Sequence, residues 1–213
     1  MKTWAIKMVQ RWVMGVLPFY LFTFLPLSTF AQTVALNTEG QDSAYVETIK
    51  SRAQKIVDGL GLTDATKAEN VRNIIANRYF LLNDIHSKYD KSQQAERDAE
   101  LYKHHFELAS ALTLYLTDEQ IDAVKDGMTY GRLKRDYQAQ LDMIPTLTDF
   151  EKQQVLVWLK EAREYAMDAA DSKGKHFWFD KYRGRTNNWL SARGYDLKKE
   201  RDNWQKRLEK EKK

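Results

Sequence analysis

The chain has 213 residues, no cysteine, and 34 basic against 30 acidic residues. Without cysteine it has no disulfide framework, thiolate nucleophile or cysteine-held metal. Three of the basic residues, Lys2, Lys7 and Arg11, fall at the very start, and beyond residue 31 the balance is 31 basic to 30 acidic. Such a near-neutral balance makes no electrostatic case for nucleic acid.

Residues 1–31 have the three parts of a secretory signal. A basic start is followed by the apolar stretch Val13–Leu27, and Thr29-Phe30-Ala31 places small residues at −3 and −1 of a cleavage point before Gln32. The apolar run is short for a membrane span and is interrupted by Pro18 and Pro26, which favours cleavage over anchoring. No cysteine follows, so no lipoprotein is expected. The expected location is periplasmic or extracellular, with no membrane span once the signal is removed.

Residues 32–42 read as a flexible lead, 43–196 as one helical domain, and 197–213 as a charged C-terminal helix with a frayed end. Pro145 is the one proline beyond the signal, and Leu, Ala, Lys, Glu and Gln are abundant, all of which favours helix. Apolar residues step by three and four through Val46–Leu60, Val71–Ile85, Ala95–Leu112, Ile121–Met128, Leu133–Leu141 and Val155–Ala169. In the third of these the predicted buried stripe is Ala95, Ala99, Tyr102, Phe106, Ala109 and Leu112. The expectation is an all-α, single-domain bundle of about six to eight amphipathic helices.

Three Leu-Thr-Asp sequences mark helix starts. At Thr117 and Thr148 the threonine can cap, and Gln120 or Glu151 three residues on can close a capping box. At Thr63 the third residue is Thr66, which leaves a cap without a box. Their unequal spacing argues against internal duplication. Between the last two, Gly127 and Gly131 are expected to bracket a loop exposing Tyr130.

Residues 174–213 hold 13 basic and 6 acidic residues, against 18 and 24 in 32–173, so the basic end is expected to dock on the acidic body. At helical spacing Phe179, Tyr182, Thr186, Trp189 and Leu190 form a stripe that faces the core. Trp178, Arg185 and Arg193 flank it, and Asn187 lies across the helix from Trp178, so one site cannot use them all. Gly194 reads as a helix stop and Asp196 as the next cap.

No reaction is spelled out. Glu100, His104 and Glu107 share a helix face, but the Glu-x-x-His order of bundle metal sites and a second ligand helix are both missing, so no metal is expected. His86 and His176 are isolated, there is no Gly-x-Ser-x-Gly turn, and no cofactor motif occurs, so no cofactor is expected. Aromatic faces beside Arg and Asn suit sugars, whose C–H faces lie on rings and whose hydroxyls need planar donors and acceptors. The same mixture also describes a helix-packing edge.

Four segments, Lys125–Gly131, Leu141–Thr148, Trp158–Ala169 and Tyr182–Leu190, resemble a family of secreted bacterial proteins known as domain of unknown function 3826, which carries a sugar-binding description. The resemblance implies a role in glycan use, with oligosaccharide and other glycan-utilisation proteins as partners, and supplies no established binding residues. The stretches Tyr130–Arg132 and Trp178–Tyr195 combine aromatics, arginine, asparagine and glycine turns. The expected ligand-binding residues are therefore Tyr130, Arg132, Trp178, Arg185, Asn188 and Tyr195, in a non-catalytic protein. The rival expectations are a periplasmic chaperone or scaffold and, second, a glycan-active enzyme using paired carboxylates.

Overall fold

The computed structural model describes residues 33–211; the expected signal peptide and its cleavage point lie outside the described residues. Within them the chain is all-α. In order, the helices are α1 (Ser43–Asp58), α2 (Ala65–Lys88), α3 (Gln94–His104), α4 (Glu107–Leu112), α5 (Asp118–Met128), α6 (Arg132–Met143), α7 (Asp149–Met167), α8 (Ser172–Ala192) and α9 (Leu197–Glu211), with a 3-10 turn at Lys91–Gln93. Among the described residues there is no strand, and no helix is long and apolar enough to cross a membrane.

Local sequence sets the helix starts. Thr117 Oγ1 accepts from Gln120 N and Thr148 Oγ1 from Glu151 N, each at 3.3 Å, and in both the third side chain reaches back to the cap N–H, so both boxes form. The third start differs from expectation. Asp64, one residue later than Thr63, caps α2 by accepting from Lys67 N at 3.0 Å. A carboxylate competes well for a helix N-terminus because it meets both the free N–H groups and the positive end of the dipole.

Two apolar clusters carry most of the fold. The first joins α1, α2, α4 and α5 through Ile49, Ala53, Val71, Ile75, Leu112, Val124 and Met128, and reaches Met167 at the end of α7. The second joins α6, α7 and α8 through Leu133, Val155, Leu159, Ala162, Phe179 and Tyr182. The predicted stripe of α8 is largely core, with Phe179, Tyr182, Thr186 and Leu190 buried and Trp189 half-buried. Gly127 is not a loop residue. It lies inside α5, where a Cβ would come within 3.0 Å of Ile56 Cγ1, so its role is close packing of α5 on α1.

Ions tie the two clusters together. Buried Arg163 of α7 donates to the carboxylates of Asp126 (2.6 Å) and Asp122 (2.7 Å) on α5. Lys175 of α8 is also buried and donates to the Met128 carbonyl at 2.8 Å, satisfying the C-terminal end of α5. Residues 33–42 run along α2, where Asn70 and Asn73 bond the backbone of Val34, and Asn77 that of Ala35 and Asn37. The basic α9 docks on α6 and α8 through Trp204 and through Arg207, which donates to the Asp142 carbonyl at 2.6 Å. Among the described residues no ion pair joins α9 to the body; the contact is apolar packing and carbonyl capping.

Candidate functional site

The expected third stripe breaks, and the break builds a groove. Helix α3 ends at His104, and α4 restarts at Glu107 with a changed phase. Leu101, Leu108 and Leu112 turn inward, while Tyr102 and Phe106, expected in the core, are 71% and 63% exposed. Apolar residues four apart fit a continuous helix, but a kink between them rotates the second half by a fraction of a turn, which the spacing cannot reveal.

Opposite the kink stand the end of α7 and the start of α8. They enclose a groove of about 740 Å³, whose aromatic walls are Tyr102, Phe106, Tyr165, Phe177 and Trp178. Phe177 is 59% exposed. Trp178 is stacked on Tyr165, with centroids 4.6 Å apart and planes at 18°, and the Lys181 ammonium lies 4.7 Å from its ring centre. Its faces are thus engaged by the protein. The most exposed rings of the groove are Tyr102, Phe106 and Phe177.

Asp168, at the end of α7, organises the polar floor. Its carboxylate accepts from buried Arg78 of α2 at 2.5 Å and from His105 Nδ1 at 2.6 Å, and its carbonyl accepts from His86 Nε2 at 2.7 Å. Arg78 also donates to the His104 carbonyl at 2.9 Å, so one guanidinium fixes the kink against α7. The ring of His105 is thus oriented with Nδ1 on Asp168 and Nε2 towards Glu164, 3.6 Å away. Glu164 is held by Lys125 at 2.9 Å, and Glu161 lies 3.4 Å from Arg185. Each of these groove carboxylates has a cation beside it. Among the described residues no cluster of ligands suits a metal ion; Glu100 instead binds Lys88 and Tyr89, and His104 pairs with Glu107 at 2.8 Å.

The six residues expected to bind ligand are not brought together. Tyr130 is 47% exposed with φ +60°, its ring 5.9 Å from His176, beside Arg52 and Tyr79. Arg132 is buried and spans Asp136, Asp180 and His176 Nδ1, which makes it a tie between α6 and α8. Arg185 packs over the rings of Trp158 and Tyr182, and Asn188 is exposed on α8. Tyr195 donates to Glu151 at 2.7 Å, at the far end of α7. Trp178 alone of the six lines the groove. Tyr102, His105, Phe106, Tyr165 and Asp168 were not among the residues expected to bind, and Tyr102 and Phe106 were expected in the core; the run of rings and histidines at Tyr102–Phe106 was the available signal.

No curated protein matches the chain. Residues 46–210, which take in every helix from within α1 to within α9, match the family described as Protein of unknown function (DUF3826), and the chain belongs to that family.

Proposed function

We propose that this is an exported, non-catalytic protein that binds carbohydrate in the groove between the α3–α4 kink and the α7–α8 turn. The observation that carries the reading is the set of three exposed rings, Tyr102, Phe106 and Phe177, around a floor of positioned polar groups. A pyranose offers an apolar C–H face to such rings. Its hydroxyls would find acceptors in Glu164 and Asp168 and donors in Lys181 and Gln94. Exposed aromatic clusters on a small domain mark contact surfaces. The pairing of Glu161, Glu164 and Asp168 on the α7 wall with Arg185, Lys125 and Arg78 supports binding over acid–base chemistry, which needs a carboxyl free to exchange its proton.

Export rests on the tripartite start of the sequence; protein recovered from cells should begin at Gln32, and a mature chain still beginning at Met1 would refute cleavage. The binding test is calorimetric titration with pectic and host-derived oligosaccharides. Phe106→Ala and Tyr102→Ala remove exposed rings and should leave the fold intact while weakening binding about tenfold, since stacking a base-sized ring contributes of the order of 1–3 kcal/mol. If no glycan in the panel gives heat, the reading fails. Suppression of client-protein aggregation in place of sugar binding would point instead to a chaperone.

A further inference from the structure

Where α1 and α2 meet the end of α5 lies a second cleft, of about 410 Å³, with an apolar lining at Ile56 and Leu60. Tyr130, which also lines it, sits at an unusual backbone position. Gly131 N donates to the Asp126 carbonyl at 2.8 Å and Tyr130 N to the Gly127 carbonyl at 3.4 Å. These paired bonds close a helix by turning the residue after its cap left-handed. That residue is Tyr130, at φ +60°, the one non-glycine with positive φ among the described residues. Glycine is the usual occupant, because a Cβ crowds the following carbonyl in this conformation. The Tyr130 ring is 47% exposed, so burial of the ring does not account for the strain. Backbone outliers of this kind cluster at ligand-holding sites.

The charge around the cleft is one-sided. Arg52 and Lys55 of α1 line it, no carboxylate does, and neither cation forms an ion pair among the described residues. The Arg52 guanidinium lies 5.4 Å from the centroid of the Tyr79 ring, and buried Lys175 holds its ammonium at the same distance from that ring. Tyr79 lines the cleft as well and is 8% exposed. Its hydroxyl makes no hydrogen bond among the described residues, yet it is not one of the polar atoms closed off from solvent. Burial pushes this phenol up to about 12, against Arg52 and with Tyr130, so it stays a donor at neutral pH. A buried tyrosine hydroxyl ordinarily has a partner. The cleft thus offers unmatched donors of three kinds, guanidinium, ammonium and phenol, and apolar surface beside them.

We infer that this cleft binds a small carboxylate carried on an apolar ring, the chemistry of an arylalkanoic acid. The carboxylate faces Arg52 and Lys55, with the Tyr79 hydroxyl as a further donor, and the ligand's ring lies between Tyr130 and the apolar lining. The site shares no lining residue with the aromatic groove, so it stands or falls separately from the reading above.

The test is calorimetric titration of the mature protein with sodium 3-phenylpropionate. Acetate supplies the charge without the ring, and 3-phenylpropanol the ring without the charge. Phenylpropionate should bind at millimolar concentration or below, and better than either comparison. Arg52 is exposed, so Arg52→Gln keeps the fold and should weaken phenylpropionate about tenfold, to the level of phenylpropanol. Tyr130→Gly should also weaken it about tenfold, yet melt no lower than the wild type, because glycine relieves the left-handed backbone. A purely structural tyrosine would give the reverse, a lower melting temperature and unchanged binding. Absence of heat with phenylpropionate overturns the inference, as does equal binding of acetate or of phenylpropanol, binding that survives Arg52→Gln or Tyr130→Gly, or a lowered melting temperature in Tyr130→Gly.

Discussion

Glu151 sits where four contacts meet, and its replacement separates their contributions. The side chain is 3% exposed. Oε2 accepts from Thr148 N (2.8 Å), Thr148 Oγ1 (2.9 Å) and Tyr195 OH (2.7 Å), and Oε1 accepts from Arg193 Nε at 2.7 Å. Helix α7 is thereby tied both to its own cap and to the turn that ends α8. The Arg193 guanidinium, followed by the Tyr195 and Thr148 hydrogen bonds, holds the carboxyl down at about 2 from an ordinary 4.5, against the opposing effect of desolvation. Glu151→Gln keeps the reach back to the cap, as Gln120 does in α5, and removes the charge. Arg193 is 42% exposed and can rehydrate, so its loss is discounted to about 1 kcal/mol, and weakening of the Tyr195 bond adds up to about 1. Glu151→Gln should therefore cost about 1–2 kcal/mol at pH 7. Glu151→Ala also removes the box, worth about 1 kcal/mol, and should cost about 3. For a domain of this size that corresponds to about 2–8 °C and 6–12 °C in Tm. The pH dependence fixes the assignment. A depressed carboxyl stabilises fully above its unfolded pKa, and that contribution is lost as pH falls from about 4.5 towards 2. Urea denaturation should show a gap between wild type and Glu151→Gln that is constant near neutrality and closes across that acid window. A gap below 0.5 kcal/mol at pH 7, or one that persists unchanged at pH 2, would refute the reasoning.

Two further perturbations test the ties between helices. Asp168→Asn leaves the guanidinium of Arg78, which is 3% exposed, without its counter-charge, and should cost about 3–5 kcal/mol in denaturant titration; a loss under 1 kcal/mol would mean that the kink is held by packing alone. The Lys175 amine is pushed down to about 8 by burial, with Arg52 adding to the effect. Between that value and its ordinary 10.5 the unfolded chain binds the extra proton, so stability should rise with pH from about 8 until the tyrosines begin to ionise near 10. Lys175→Met should lack the rise, and an identical pH profile in the variant would refute the assignment.

The helical class, most helix boundaries, both capping boxes and the buried stripe of α8 were legible in the residues, because each depends on contacts within about one turn of chain. Glycine and capping signals also placed the stop at Gly194, with φ +98°, and the following cap, where Asp196 accepts from Lys199 N at 3.0 Å. Periodicity failed at Tyr102–Phe106. There the chain kinks at His105, held by Arg78 and Asp168 from helices 26 and 63 or more residues away, and no local pattern encodes partners at that distance. Arg132 and Tyr195 were drawn towards binding by their residue type, yet the fold spends both on buried and half-buried carboxylates. What the residues alone determined was which surface each uninterrupted helix buries, as the stripe of α8 shows and the kinked α3–α4 segment does not. Which surfaces then face each other across a groove was decided by helix packing, since α7 and α8 meet α3 and α4 only after the whole bundle has closed.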